Sequence, residues 1–401
     1  MTIKKLATIP DSKQMSAPTS NLRLGEAHRF VIDLFAGVGG LSLGAARAGF
    51  KIALAVELDK HAVAAHIRNF PNTNHLSADI GKLTGDELLS KAGIVKGNLD
   101  GLIGGPPCQG FSTIGHRRVA DARNSLFRKF FALVAECRPK FFLAENVLGI
   151  LNEQYSAIRE DALELVTNEY VVIDTLRFKA SDFGAATSRE RAFFIGYRKD
   201  LGISISATDF DARKKEKQTT VAQALKGLPP RILSKWLDET QGWRKVGSLQ
   251  KNDFNEKIID SVPVGVGDPE AVRLYREKSL VSGCLGTRHG QEVAARYEAL
   301  KPGEQDSISK SVRLKRDGLC PTLRAGTDSK RGSYQAVRPI HPTIARVITP
   351  REAARLQGFP DWFQFAASKW HSFRQIGNSV SPFVAEAVLA VINEKLNTIG
   401  K

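Results

Sequence analysis

The stretch FVIDLFAGVGGLSLG, residues 30–44, decides the architecture. FVIDLF is a short, almost wholly apolar run closed by glycine, the pattern of a strand buried on both faces. A glycine-rich turn and an amphipathic stretch follow, so the chain passes from strand through a tight turn into a helix. Gly37, Gly39 and Gly40 permit unusual dihedrals and close backbone approach at the carboxyl end of that strand, where open α/β sheets bind their ligands.

The same rhythm continues outward. KIALAVE (51–57), LDGLIGG (99–105), KFFLAEN (140–146), YVVIDTLRF (170–178) and AFFIGYR (192–198) read as further buried parallel strands, with helical patterns between most of them. The expected fold is a doubly wound, Rossmann-like α/β sheet. From Lys199 to Ala345 the rhythm gives way to polar sequence punctuated by Gly and Pro, which predicts a second, smaller and irregular domain. PREAARLQGFP (350–360) and SPFVAEAVLAVINEKL (381–396) read as helices, the latter with an apolar face docking back on the sheet. The expected organisation is a flexible basic arm over 1–28, a catalytic and cofactor-binding domain over 29–198, the irregular domain over 199–345, a bridging helix within 346–369, and a segment over 370–401 returning to the sheet.

Composition sets outer limits. The 401 residues are 42% hydrophobic and 25% charged, an ordinary globular balance, and the formal net charge of +16 favours a polyanionic partner such as nucleic acid. Cysteines 108, 137, 284 and 320 are scattered, without Cys-x-x-Cys spacing or a neighbouring histidine, so neither a disulfide framework nor a metal site is expected. That usage fits a reducing cytoplasm. The N-terminal stretch lacks the apolar centre of a secretory signal, and the sequence reads as having no apolar run long enough to cross a bilayer.

Glu57 closes the second strand, where a carboxylate can accept from both hydroxyls of a ribose. Ser42 stands where the dinucleotide fingerprint has its third glycine, so the turn suits a nucleoside ligand without a pyrophosphate. On these residues alone, a nicotinamide dinucleotide and S-adenosylmethionine both remain open.

GGPPCQGFS, residues 104–112, follows another buried strand and fixes Cys108 between prolines and glycines. Pro106 and Pro107 restrict the backbone that presents the thiol, which reduces the entropy lost on reaching an attack geometry. Glu145 and Asn146 end the next strand at the same edge. A thiol, an acid and a basic protein together suit chemistry on a base. Adding a thiolate to carbon 6 of cytosine makes carbon 5 nucleophilic, and a carboxyl group at ring nitrogen 3 stabilises the charge that builds there. SRER, 188–191, offers Arg189 and Arg191 at period two for the carbonyl at ring position 2.

These residues resemble the bacterial-type DNA (cytosine-5)-methyltransferases, and the match keeps that family's order over most of residues 30–390. DLFAGVGG, VELD, ADI (78–80), GGPPCQGFS, DARNSLF (121–127), ENV (145–147), SRER, REAARLQGFPD (351–361) and QIGNSVSP (375–382) carry it. The resemblance implies S-adenosyl-L-methionine as cofactor. Phe35 would pack on the adenine, Glu57 bind the ribose, Asp79 and Ile80 read the adenine edge, and Asn378 with Val380 close the methionine end. Ala36, Gly37, Gly39, Gly40 and Pro107 would complete that site. It implies Cys108 as nucleophile, Glu145 as the acid at a flipped cytosine, Arg191 as the contact to its carbonyl and Arg189 in support. Ser112 and Arg123 match positions that grip phosphates when the loop beyond Cys108 closes over DNA.

One block departs from the family. Its Gln-x-Arg-x-Arg, normally preceded by Val-Pro, reads AATSRER here, with Thr187 for the glutamine and Ala186 for the proline. Residues 199–345 match the target-recognition region, where Arg313, Arg316, Arg324 and Arg331, with Lys310, Lys315, Lys330 and Arg338, form an expected DNA-contacting belt. Thr322 and Leu323 match the family's Thr-Leu pair. The expected partners are double-stranded DNA and a restriction endonuclease of the same specificity; a monomer in the bacterial cytoplasm is the expected state. The rival readings are a nicotinamide dehydrogenase, a tRNA cytosine-5 methyltransferase and a non-catalytic DNA binder. A large variable region and the absence of a Cys-Phe-Thr triplet rank the tRNA reading lower; a dehydrogenase or a pure binder has no use for the thiol and acid.

Overall fold

A computed structural model describes residues 28–107, 124–233, 236–237, 239, 241–259, 262–325 and 338–399. Residues 1–27 of the predicted arm and the stretch containing Cys108, Ser112 and Arg123 lie outside the described residues, as does Arg331.

The strands of the main sheet are β1 (Arg29–Leu34), β2 (Phe50–Glu57), β3 (Asn74–Ser77), β4 (Gly101–Gly104), β5 (Phe141–Asn146), β6 (Tyr170–Val172), β7 (Leu176–Lys179) and β8 (Glu190–Arg198). They form one sheet in the order β3-β2-β1-β4-β5-β8-β6, with β7 also pairing with β8. β1, β2, β3, β4 and β5 run parallel. The order reverses at β1 and β4, which opens a crevice at their carboxyl ends and makes it the topological switch point of the sheet.

The parallel reading needs three corrections. β8 is antiparallel to β5, with Glu145 opposite Phe193, which brings the amino end of β8 and its arginines to the carboxyl edge of β5. The apolar run 170–178 divides into β6 and β7, which pair with opposite halves of β8. β3, sequence NHLS, is an edge strand too short and polar to give an apolar signal.

Helices α1 (Gly40–Arg47), α2 (Lys60–Asn69), α3 (Gly85–Ala92), α4 (Asn124–Cys137) and α5 (Ser156–Thr167) connect the strands. Thr84 and Glu87 form a capping box that starts α3. Leu88, Phe127, Phe130 and Ala162 fill one face of the sheet, and α1 lies in the core on the other with the C-terminal helix.

Beyond β8 come α6 (Ala207–Asp211), α7 (Val221–Leu225), β9 (Arg244–Lys245), α8 (Asp253–Ile259), α9 (Pro269–Lys278), β10 (Leu280–Val281) and α10 (Gln291–Ala299). Short elements joined by long irregular connections are what the Gly/Pro punctuation predicts. Phe210, Val246, Phe254 and Cys284 from this stretch share a continuous core with Val31 and Phe141 of the sheet.

α11 (Pro350–Gln357), α12 (Lys369–Asn378) and α13 (Pro382–Leu396) complete the chain. Every residue of α11 is buried, so its charges must be paired. Arg355 meets Asp361 through two hydrogen bonds and donates to the carbonyls of Ala224 and Lys226 at the end of α7. Glu352 holds Arg346 by two more, and Arg351 donates to the carbonyls of Ser282, Pro360 and Phe363. The helix thus anchors the irregular stretch. Residues 369–396 have the length and mean hydropathy of a membrane span, contrary to the sequence reading; they form two helices, α12 and α13, and 78% of the apolar window is buried in the fold. α13 packs against α1 so closely that a Cβ at Gly44 would overlap Ala385.

Candidate active site

The crevice holds a cavity of about 390 Å3. The glycine turn builds one wall. Phe35, φ 57°, and Gly37, φ 58°, are both left-handed, so the chain reverses sharply at the carboxyl end of β1. Ala36, Gly37 and Gly40 line the cavity, and a Cβ on Gly40 would overlap the carbonyl oxygen of Val380, which lines it too. Gly39 does not line it: its φ of 101° and its contact with the Phe70 ring explain the glycine by packing instead.

Glu57 closes β2 with its carboxylate fixed by backbone amides. Oε2 accepts from Gly37 N at 2.9 Å, and Oε1 from Leu58 N and Asp59 N at 2.8 Å each. An amide-clamped carboxylate at the end of the second strand is pre-oriented to accept from hydroxyl donors. Asp79 and Ile80 stand farther along the same cavity, and Pro107 with Phe35 lines it as well.

β5 and β8 supply the other wall. Arg191 Nε stands 3.0 Å from Glu145 Oε1, an ion pair of which both side chains are largely buried. That contact is not an aligned hydrogen bond, and Oε1 accepts none among the described residues. Asn146 donates to the Pro106 carbonyl and accepts from Val147 N, so the residue after the acid clamps the loop that leads to Cys108. Arg189 points elsewhere. It is 3% exposed, and its guanidinium donates to the carbonyls of Gly377, Asn378 and, at longer range, Leu323. The period-two arginines therefore divide their work: Arg191 meets the acid and Arg189 ties β8 to the end of α12.

Thr187, which departs from the family pattern, is fully buried, and its Oγ1 donates to the Cys320 carbonyl at 3.0 Å. Ser188 N and Cys320 N close a short parallel bridge around it.

Sequence reasoning missed part of α12. His371, Arg374 and Gln375 line the cavity with Asn378, and their 371, 374/375, 378 spacing is the helical period that would have disclosed them. Arg374 pairs with Asp59 at 3.2 Å, and the His61 and His371 rings lie 3.8 Å apart. Asp33, hidden behind the turn, is also new. Its Oδ2 accepts from Ser42 Oγ at 2.6 Å, Ser42 contacts His66 Nε2, and His66 contacts His75. Burial, opposed by the Ser42 hydrogen bond and reinforced by nearby Glu57, pushes the Asp33 carboxyl up to about 7.

The expected DNA belt is not uniform. Arg316 and Arg324 are exposed, whereas Arg313 is buried and its Nη1 donates to the carbonyls of Tyr297, Glu298 and Leu300 at the end of α10. That geometry is a helix C-cap, and Arg313 drops out as a DNA contact. Cys137, Cys284 and Cys320 are buried free thiols, and burial raises all three above the usual thiol range.

The family model for C-5 cytosine-specific DNA methylases matches residues 30–394. This chain belongs to that family. It is a DNA (cytosine-5)-methyltransferase of the type II kind. It is 40% identical to the type II methyltransferase M.XorII of Xanthomonas oryzae pv. oryzae, over 89% of this chain and 82% of that one. It is 31% identical to M.DdeI of Desulfomicrobium norvegicum, over 92% and 90%. Among solved structures, a protein titled as a DNA modification methyltransferase encoded within an E. coli prophage superposes with a TM-score of 0.83 at 48% identity, covering 92% of this chain and 99% of that one. The Dnmt2 methyltransferase of S. pombe, at TM-score 0.61 and 17% identity over 92% and 100%, shares the fold.

Proposed function

We propose that this enzyme transfers the methyl group of S-adenosylmethionine to carbon 5 of a cytosine turned out of duplex DNA at a short specific sequence, through a covalent Cys108 adduct. The observation that carries the reading is one cavity lined together by the Glu145–Arg191 pair, the amide-clamped Glu57 carboxylate and the Pro106–Pro107 loop. The residues fit the cofactor: Glu57 would take the ribose hydroxyls, Phe35 and Ile80 would flank the adenine with Asp79 at its edge, and Asn378 with Val380 would border the methionine end, all of them lining one cavity. When bound, the cofactor supplies an electrophilic methyl group.

The protein's own residues do the rest. The Cys108 thiolate adds to cytosine carbon 6, forming a C–S bond, and the electron pair of the 5,6 double bond becomes available at carbon 5. Glu145 hydrogen-bonds ring nitrogen 3 as charge gathers there, and Arg191 meets the carbonyl at position 2. Once carbon 5 carries the methyl group, loss of its proton to a base restores the double bond and expels the thiolate. Arg189 positions the end of α12 rather than touching the ring.

Turning the base out costs a few kcal/mol, which contacts to the opened duplex offset. Residues 199–345 serve as the target-recognition region, with Arg316, Arg324 and Arg331 toward DNA and Ser112 with Arg123 on backbone phosphates. The enzyme acts as a monomer in the bacterial cytoplasm, as the modification half of a restriction–modification pair. Incubation with a duplex bearing 5-fluorocytosine tests the mechanism, because fluorine at carbon 5 cannot leave as a proton does. A cofactor-dependent complex stable to denaturant, absent in Cys108→Ser, is expected; methylation of normal DNA with no such complex would exclude the adduct.

A further inference from the structure

Behind the glycine turn, four side chains form one hydrogen-bonded row across the sheet. Asp33 Oδ2 meets Ser42 Oγ at 2.6 Å, Ser42 Oγ meets His66 Nε2 at 3.1 Å, and His66 Nδ1 meets His75 Nε2 at 2.8 Å. Asp33, Ser42 and His66 are buried, and His75 is half-buried on β3, the edge strand. The row backs the cofactor cavity at three points. Asp33 stands two residues before Phe35, Ser42 follows Leu41, and a Cβ on Gly39 would press on the His66 ring.

The row has two complete hydrogen-bond arrangements. With Asp33 ionised, Ser42 Oγ–H donates to its carboxylate, His66 Nε2–H donates to Ser42 Oγ, and His75 Nε2–H donates to His66 Nδ1. With Asp33 protonated, every bond reverses: Asp33 donates to Ser42, Ser42 to His66 Nε2, and His66 Nδ1–H to His75 Nε2, which leaves the His75 proton on Nδ1. The two arrangements differ by one proton, exchanged at the His75 end. Both require neutral imidazoles, and burial supplies them, holding His66 well below the ordinary histidine range and His75 at about 4.

Asp33 is poised between the two. Its Oδ1 is buried and accepts no hydrogen bond among the described residues, so one donor serves the whole carboxylate and burial raises it to about 7. Among the elements around it, β2 brings Glu57, whose charge raises it further, and Lys51 at the opposite end; β4 brings no charged group. The charged residue of α1, Arg47, lies at the far end of that helix against the Lys257 carbonyl and Glu386 of α13. A cation placed in the cavity would act in the opposite sense to Glu57 and favour the ionised arrangement.

We propose that Asp33, Ser42, His66 and His75 form a proton relay that responds to the charge of the bound cofactor. S-adenosylmethionine carries a sulfonium cation, and methyl transfer leaves a neutral thioether. With the cation in place Asp33 ionises and its proton leaves at the His75 end; with the thioether in place Asp33 takes a proton back and its attraction for the ligand is lost. The relay, which rests on the S-adenosylmethionine reading, thus favours the methyl donor over its spent product.

The test is calorimetry and histidine-nitrogen NMR of the full-length enzyme with S-adenosylmethionine and with its demethylated product, S-adenosylhomocysteine. At about pH 6.5 the wild-type His66 and His75 should both move from the Nδ1–H tautomer with the product toward the Nε2–H tautomer with the donor. Calorimetry in buffers of different ionisation enthalpy should show proton release on donor binding, and a preference for donor over product that rises about tenfold between about pH 5 and about pH 7.5. Asp33→Asn can still bond Ser42 but cannot ionise, so its preference should not change with pH through Asp33 and its tautomers should stay fixed. Wild-type tautomers that are the same with both ligands would overturn the proposal, whether or not the variant folds, as would a pH dependence unchanged in folded Asp33→Asn. Failure of the wild type to bind S-adenosylmethionine would overturn the cofactor reading instead, and the relay with it.

Discussion

Thr187 Oγ1 donates to the carbonyl oxygen of Cys320, 133 residues later in the chain, at 3.0 Å. The bond joins the entry to β8 to the start of the Pro321-Thr322-Leu323 stretch, just before the Leu323 carbonyl that Arg189 contacts. A short hydroxyl thus supports the arginine pair through the backbone. Thr187→Val, nearly isosteric, removes one donor from a carbonyl that keeps Ser188 N and Oγ, and should cost about 0.5–1.5 kcal/mol in denaturant unfolding, with turnover within a few-fold of wild type. A collapse of turnover with stability unchanged would show that Thr187 acts on the reacting groups instead.

Arg189 and Arg191 are two residues apart and should fail differently. Arg191→Ala leaves Glu145 without its cation and is expected to lower kcat about 100-fold or more, with cofactor affinity little changed. Arg189→Ala removes the bonds to Gly377 and Asn378, so cofactor affinity and thermal stability should fall together. Steady-state kinetics and calorimetry on both variants separate the roles, and identical losses would refute the division.

Asp33 makes a prediction about pH. Its folded value, raised to about 7 from 3.8, means the native state holds a proton that the unfolded chain has released. The associated stability is complete below about pH 4 and is lost as pH rises toward 7. Asp33→Asn cannot ionise, so the stability difference between variant and wild type should grow in the variant's favour by about 1.4 kcal/mol per pH unit across that window and level off above it. Chemical denaturation at pH 4.5, 5.5, 6.5 and 7.5 measures it; a flat difference would mean Asp33 stays ionised in the native state.

Arg355 and Asp361 are fully buried as a pair. Asp361→Ala strands the guanidinium and should cost about 3–5 kcal/mol, measured by denaturant unfolding. A loss under 1 kcal/mol would mean that water enters the α11 hub and hydrates the arginine.

The sheet was legible because parallel strands buried on both faces must be mostly apolar, as FVIDLF and the FFLA of KFFLAEN are. The site was legible where chemistry requires one residue type at a strand end, as with Glu57 and Glu145. β3 escaped because an edge strand need not be apolar, and the reversed direction of β8 escaped because an apolar run carries no sign of direction. Arg313 read as a surface charge because composition cannot distinguish a helix cap from a phosphate contact; only the carbonyls of α10 reveal it. His371 and Arg374 were hidden because the cavity they line is assembled from the two ends of the chain.

Methyl transfer to carbon 5 of cytosine in DNA at the Glu145–Arg191 site is read out by quantifying 5-methylcytosine by mass spectrometry. Unmethylated DNA is incubated with S-adenosylmethionine and either wild type, Cys108→Ser or Glu145→Gln. The expected result is 5-methylcytosine with wild type, none above background with Cys108→Ser, and a rate reduced at least 100-fold with Glu145→Gln while cofactor binding persists. Wild-type turnover undiminished by either substitution would contradict it.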